Sequence, residues 1–313
     1  MSSFSIFNFQ FSIIMKRRST KQVKIGEIYI GSEYPVLVQS MLNTDTMNTE
    51  ACVEQAIRII EAGGKLVRIT APGIKEAKNL ENIHAELRRR GYTTPLSADI
   101  HFNPEAAIEA ARHVEKVRIN PGNFVDKRAT FKTLIYTDEE YAAELERLRE
   151  KFTAFLDVCR EYGTAVRIGT NHGSLSDRIM SRYGNTPAGM VEATMEYLRV
   201  CRDVKFDDVV ISLKSSDCRV MVEAVRLLVK EMEKEGMDYP LHLGVTEAGE
   251  GEDGRIRSAV GIGTLLNEGL GDTIRVSLTE EPEQEIPVAN LLNEICCLQD
   301  SKTEPIHVEG HYS

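Results

Sequence analysis

Short apolar runs alternate with amphipathic stretches from Pro35 onward, at a spacing close to the length of one strand–helix unit. The apolar runs predict eight strands, at Pro35–Met41, Leu66–Ala71, Leu96–His101, Lys116–Asn120, Ala165–Asn171, Val209–Lys214, Leu241–Thr246 and Thr273–Leu278. The amphipathic stretches predict a helix after each strand, at Thr49–Ala62, Lys75–Arg89, Pro104–His113, Glu139–Glu161, Pro187–Asp203, Asp217–Lys234, Gly254–Asn267 and Glu281–Leu298.

Eight such units predict an α/β fold, a (β/α)8 TIM-type barrel that spans residues 21–299. In that fold the loops at the carboxyl ends of the strands carry the reactive groups. A doubly wound open sheet is the alternative. It usually has fewer strands and a glycine-rich first turn, whereas the first turn here, Gln39–Leu42, contains no glycine.

The two ends of the chain differ from the barrel in pattern. The first fourteen residues are uncharged and are followed by a basic cluster, Lys16–Arg18, which is the reverse of a secretory signal. We expect residues 1–20 to be a disordered extension, with a short organellar targeting peptide as the alternative. We expect residues 300–313 to be a tail, the start of a downstream domain that is missing here. No run of about 18 apolar residues occurs, so we expect no membrane span and no membrane partner.

The formal net charge of −10 argues against binding to nucleic acid. Six cysteines without a C-x-x-C pair favour a reducing, cytoplasmic setting over a disulfide framework. Positive charge concentrated at one place would therefore stand out against an acidic background.

Such a concentration occurs on the predicted strands, where an arginine lies between apolar residues in four copies. The copies are Val67–Thr70, Lys116–Asn123, Val166–Asn171 and Ile274–Ser277. Residues two apart on a strand share a face, so three of the arginines share their face with a polar residue at or near the strand end. The pairs are Arg118 with Asn120, Arg167 with Asn171, and Arg275 with Ser277. Lys214 adds a fifth cation on another strand.

Cations inside a barrel need partners, because a guanidinium removed from water costs several kcal/mol unless it is paired. We expect only Asp99 and Glu247 to oppose Arg68, Arg118, Arg167, Lys214 and Arg275. The arginine fork suits phosphate. The residues by themselves therefore predict a small ligand with two or more phosphate charges, bound at the barrel mouth.

Single residues in this set have plainer interpretations. One arginine alone could face outward and pair with a helix carboxylate. His101 could be a metal ligand, but no second histidine lies at ligand spacing, which favours a hydrogen-bonding or buried role. Glu247 could be a solvated loop charge, or an acid or base, because it is the first residue after its strand.

Six ordered motifs resemble one enzyme family, the 4-hydroxy-3-methylbut-2-enyl diphosphate synthases of the non-mevalonate isoprenoid pathway. The motifs are Val38–Met41, Ala98–Phe102, Val117–Asn123, Val166–Leu175, Leu241–Gly249 and Asp272–Ser277. The similarity runs from about Lys21 to Glu281, and Asp177–Arg199 and Gly249–Arg255 look most like the longer form of the family.

The resemblance implies the two-electron reductive ring opening and dehydration of 2-C-methyl-D-erythritol 2,4-cyclodiphosphate. On this interpretation the five cations hold the diphosphate, and Glu247 donates or carries a proton. The polar groups that would bond its oxygens and hydroxyls are His101, Asn120, Asn171 and Ser277.

The resemblance also implies a [4Fe-4S] cluster, held by cysteines of a separate C-terminal domain, with ferredoxin or flavodoxin as electron donor. None of the six cysteines here has cluster spacing, and the chain stops at Ser313. We therefore expect no metal site on this chain, and a barrel that binds substrate without turning it over. The oligomeric state stays open, with a homodimer as one option.

Two other functions stay open at this point. One is another barrel enzyme on phosphorylated substrates, of the pterin-binding synthase or aldolase type, in which Lys214 would be the candidate Schiff-base lysine. The other is a non-catalytic barrel that only binds a diphosphate.

Overall fold

The computed structural model describes residues 17–100, 102–126 and 135–297. The strands, in chain order, are β1 (Val23–Ile25), β2 (Ile28–Ile30), β3 (Leu37–Val38), β4 (Ser40–Met41), β5 (Val67–Thr70), β6 (Leu96–Asp99), β7 (Lys116–Ile119), β8 (Ala165–Asn171), β9 (Val209–Lys214), β10 (His242–Leu243) and β11 (Thr273–Ile274). The helices are α1 (Thr49–Glu61), α2 (Ile74–Arg89), α3 (Pro104–Ala110), α4 (Asp138–Tyr162), α5 (Asp177–Tyr183), α6 (Pro187–Asp203), α7 (Cys218–Lys234), α8 (Gly251–Asn267) and α9 (Glu285–Cys297), with a 3-10 turn at Pro282–Gln284.

Parallel pairing closes the strands into a ring. Strands β4 to β9 pair in chain order, and β10, β11 and β3 form the remaining arc. The first strand of the barrel is interrupted at Gln39, so that its first part, β3, pairs with β11 and its second part, β4, pairs with β5. A parallel bridge between Ile211 and Leu241 joins β9 to β10. The (β/α)8 prediction is confirmed, and the open-sheet alternative is wrong.

Local sequence signals explain where the helices begin and end. Thr137 and Glu140 form a capping box at the start of α4, and the helix ends at Gly163, whose φ of 67° lies in the left-handed region. The Asp217 side chain accepts from two backbone amides at the start of α7. Within the described ranges, no helix combines the length and apolarity that crossing a membrane requires.

Two elements lie outside the predicted set. The antiparallel hairpin β1–β2 precedes the barrel, and α5 lies within the connection between β8 and α6. The hairpin places Val23, Ile25 and Ile30 against Leu37 and Leu66, which closes the amino end of the barrel with apolar side chains. Strands β10 and β11 pair over only two residues each, shorter than the predicted runs.

The described chain begins at residue 17, within the segment predicted as an extension. Arg17 lies 2.7 Å from the Asp272 carboxylate, and Thr20 Oγ1 donates to the same group at 2.9 Å. Residues 17–20 are thus tied to the barrel. The proposed disorder of residues 1–16 and the tail at 300–313 stay predictions, because both lie outside the described residues.

Candidate active site at the carboxyl end of the barrel

Strand alternation directs the predicted cations into the barrel. Arg118 and Arg167 are register partners on β7 and β8, and Asp99 on β6 is the register partner of Arg118. The three side chains therefore lie at one depth. All three are buried, with Arg167 only 2% exposed.

A cavity of about 210 Å³ opens at this depth, at the carboxyl end of the strands. Its lining residues are Met41, Arg68, Asp99, Arg118, Arg167, Asn171, Lys214, Val245, Thr246, Arg275 and Ser277. All five predicted cations and two of the predicted polar groups, Asn171 and Ser277, are therefore brought together. Met41, Val245 and Thr246 were not predicted as site residues, although Thr246 shares the inward alternation of its strand.

Two predicted residues that the structure describes, Asn120 and Glu247, are not in the lining. Asn120 is buried, and its Oδ1 accepts from the Gly122 amide at 3.2 Å, so it shapes the turn after β7. Glu247 is exposed and has a left-handed φ of 51°, which directs the chain away after the strand. His101 lies outside the described residues.

Asp99 links two of the arginines. Arg118 Nη1 donates to Asp99 Oδ1 at 2.9 Å, and Arg68 Nε lies 3.3 Å from Asp99 Oδ2. Arg118 also donates to the Gly169 carbonyl at 2.7 Å. These contacts fix the direction of the Arg118 fork before any ligand arrives.

Glu285, the first residue of α9, holds Arg275 and was missed by the sequence analysis. Its two carboxylate oxygens accept from Arg275 Nη2 at 2.8 Å and Nε at 3.0 Å. Ser40 Oγ and the Leu278 amide donate to the same carboxylate at 2.6 and 3.2 Å. The expectation that Glu247 balances the cations is wrong for this geometry, since Glu285 takes that position. Nothing in the local sequence separates Glu285 from its neighbouring acidic residues, because only the closing of the ring buries it.

Positive charge is in excess around the cavity. Five cations line it, and two carboxylates, Asp99 and Glu285, contact them. Burial lowers the pKa of Arg68 to about 10, and Asp99 offsets part of that effect. Burial, followed by Arg68 and Arg167, lowers the pKa of Lys214. An anionic ligand would reverse these costs.

Two glycines make room for the cations. A Cβ at Gly169 would lie 2.6 Å from Arg118 Nε, and one at Gly244 would lie 2.7 Å from Lys214 Nζ. Any larger residue would displace a cation from the cavity. Both glycines occur in the motifs that carry the resemblance.

A buried ion network holds the two loops beside the cavity and was also missed. Arg178 on α5 donates to Glu196 at 2.6 Å and to Asp126 at 2.9 Å. Asp126 lies in the loop after β7, so the network joins that loop to the β8 connection and to α6. The loop turn fits closely, since a Cβ at Gly122 would lie 1.6 Å from the Ser174 carbonyl oxygen.

Solved structures share the fold. A dihydropteroate synthase from Yersinia pestis superposes with a TM-score of 0.56 at 10% identity, covering 88% of this chain and 98% of that one. An N-acetylneuraminic acid synthetase from Leptospira borgpetersenii gives a TM-score of 0.55 at 10% identity, covering 92% and 93%. At this identity the similarity shows the barrel fold alone.

Several curated proteins have a much higher sequence identity to this chain. A Bacteroides fragilis protein named 4-hydroxy-3-methylbut-2-en-1-yl diphosphate synthase (flavodoxin) is 65% identical over 276 residues, covering 88% of this chain and 44% of the relative. Proteins of the same name from Akkermansia muciniphila and Protochlamydia amoebophila are 55% and 53% identical, covering 88% and 93% of this chain and 48% and 44% of their own length. The chain thus spans about half the length of the curated relatives it matches.

The GcpE TIM-barrel domain matches residues 20–290, which include every strand of the closed barrel and every described residue of the cavity. This match confirms the resemblance seen in the motifs. The chain belongs to the GcpE TIM-barrel family.

Proposed function

We propose that this chain is the substrate-binding barrel for the conversion of 2-C-methyl-D-erythritol 2,4-cyclodiphosphate to 4-hydroxy-3-methylbut-2-enyl diphosphate. The reaction takes up two electrons and two protons and releases one water. One observation carries the proposal: five cations, four of them buried, converge on one cavity against two carboxylates. A cyclic diphosphate supplies the missing negative charge.

The cavity suits the bond that breaks. Opening the ring cleaves a carbon–oxygen bond, and the departing phosphate oxygen gains negative charge. Arg118 and Arg167 lie side by side in register on neighbouring strands and are oriented before the ligand binds. Fixed cations of this kind stabilise the charge that develops in the transition state more than the charge of the ground state. Asn171 and Ser277 add neutral hydrogen-bonding groups for hydroxyls.

Glu247 is our proposed proton donor for the hydroxyl that leaves as water. Asp99 and Glu285 each contact an arginine that lines the cavity. Glu247 follows Thr246, which lines the cavity, and its carboxylate is exposed. The role requires the loop after β10 to turn this side chain inward in a step that follows substrate binding.

An iron–sulfur cluster does not fit the described residues. Cys52, Cys159, Cys201, Cys218 and Cys296 lie on separate helices, apart from one another in the chain, and the first three are buried. Across residues 17–100, 102–126 and 135–297, no three His, Cys, Asp or Glu side chains come together as metal ligands. We therefore derive no step through a [4Fe-4S] cluster and propose that the electrons enter from outside these residues. Flavodoxin, which stands in the relatives' names, or ferredoxin is the proposed donor.

Calorimetry with the cyclic diphosphate tests the proposal. We expect the chain to bind it, and Arg118→Gln to weaken binding about thirtyfold, because a charge-assisted hydrogen bond is worth roughly 2 kcal/mol. Arg219→Gln is the matched control, since the Arg219 side chain is 93% exposed on α7, and it should leave binding unchanged. Unaltered binding by Arg118→Gln would show that the cations do not hold the ligand.

A further inference from the structure

A second polar layer lies inside the barrel, one step closer to its amino end than the cavity. Alternation places Lys116 two residues before Arg118, and His242 two residues before Gly244. Gln39 Nε2 donates to His242 Nδ1 at 2.9 Å and to Thr273 Oγ1 at 2.7 Å. Arg167 Nη1 donates to Ser212 Oγ at 2.7 Å. TIM barrels usually fill such layers with branched apolar residues.

Lys116 is the lysine of this layer, and the proposed function does not use it. It is 0% exposed, and its Nζ has no hydrogen-bond partner among the described residues. A buried ammonium ion without a partner is costly, whereas a neutral amine is tolerated. Burial, with Arg167 and Arg68, lowers the pKa of Lys116.

The other titratable groups around Lys116 also favour its neutral amine form. Burial lowers the pKa of His242, and Lys214, Arg167 and Lys116 add to the effect. Asp99 contacts Arg118 and Arg68 and is therefore already committed to other cations. Among the described residues, no carboxylate forms a hydrogen bond with Lys116.

We propose that Lys116 is an uncharged amine in the free protein and becomes the deepest cation of the ligand site by taking up a proton when the diphosphate binds. The inference rests on the proposed function for the identity of the ligand. The step is balanced simply, since the amine gains one proton from solvent and no electrons move.

Arg68 and Arg167 connect the two layers. Both line the cavity, and both repel charge on Lys116. A bound diphosphate would offset their charge and add negative potential directly above Lys116, which raises its affinity for a proton. The ligand is then bound more tightly the more negative charge it carries. Lys116 thus contributes to specificity for a highly charged anion.

Proton uptake by Lys116 makes the affinity for the diphosphate depend on pH. Between the pKa of Lys116 in the free chain and its higher pKa in the complex, binding consumes a proton, so affinity falls as pH rises. Below the free-chain pKa the amine is already charged, and the uptake disappears.

Calorimetry at about pH 8 in buffers of different ionisation enthalpy measures the proton uptake directly. We expect wild type to take up about one proton more per cyclic diphosphate than Lys116→Met, and this variant to bind about tenfold more weakly. Lys230→Met makes the same change at an exposed lysine on α7 and should match wild type. Equal uptake by wild type and Lys116→Met would overturn the inference.

NMR of wild type with lysines labelled at Cε gives a test that does not depend on the variant folding. We expect the signal assigned to Lys116 to have the shift of a neutral amine in the free chain and to move to the ammonium value on saturation. If every lysine of the free chain is already an ammonium ion at this pH, the inference is wrong. If the cyclic diphosphate does not bind at all, the proposed function fails. Inorganic diphosphate, which requires only the cationic cavity, then tests the protonation separately.

Discussion

The two ends of the barrel interior are built from the same strands and differ in what those strands carry inward. At the amino end, Leu37, Leu66 and Val210 pack beneath the β1–β2 hairpin, with Val23 and Ile25 fully buried. At the carboxyl end, the same alternation delivers arginines and lysines to a cavity. Burial of apolar surface stabilises the first end, and unbalanced charge costs free energy at the second. The difference shows that the amino end of the barrel contributes stability, whereas the carboxyl end contributes the ligand site.

The largest effect is expected where the charged end depends on a buried carboxylate. Glu285→Gln leaves Arg275 without its counter-ion and should lower the free energy of unfolding by about 3–5 kcal/mol. Denaturant unfolding measures this change. Glu281→Gln, four residues earlier and exposed, is the control and should stay within about 0.5 kcal/mol of wild type. An unaltered Glu285→Gln would mean that Arg275 needs no partner.

A substitution at the apolar end should lower the free energy of unfolding without changing the affinity for the ligand. Ile25→Ala removes a fully buried side chain from the hairpin seal, with an expected loss of about 2–4 kcal/mol in the free energy of unfolding. Calorimetry should find the affinity for the cyclic diphosphate unchanged, because the cavity is at the opposite end. Lys24→Ala, exposed on the same strand, is the control. A clear loss of affinity in Ile25→Ala would break the division between the two ends.

Lys116 lies between the two ends and should make stability depend on pH. Its lowered pKa means that the unfolded chain binds the proton that the folded chain lacks. This contribution to the free energy of unfolding therefore rises with pH, by about 1.4 kcal/mol per pH unit, until the ordinary lysine pKa near 10.4 is reached. Lys116→Met should be more stable than wild type near neutral pH, with an advantage that shrinks toward pH 10. A pH-independent difference in denaturant unfolding would contradict a neutral Lys116.

The smallest change in affinity is expected for Glu247, which does not line the cavity. Glu247→Gln should change the affinity for the cyclic diphosphate less than about twofold, since the side chain is exposed and in solvent. Calorimetry measures this change, with Glu250→Gln, exposed in the same loop, as the control. A large change would place Glu247 inside the ligand site before catalysis begins.

The cations were predictable from sequence because arginine between β-branched residues is unusual in a buried strand. Five of them, with Asn171 and Ser277, reach the cavity where strand alternation placed them. Asn120 and Glu247 could not be placed in the same way. Asn120 directly follows β7 and Glu247 lies four residues past β10, where the local turn and not the strand alternation sets the direction of the side chain.

By itself the sequence determined the barrel, the depth of its cations and the family, because these depend on local periodicity and on motifs whose spacing is readable along the chain. The tertiary structure alone decided which groups balance those cations and which do not. Glu285 meets both Arg275 and Ser40 only once the ring closes, and among the described residues Lys116 is left without a hydrogen-bond partner. Pairing between charges depends on distances across the barrel, which no pattern along a single strand contains.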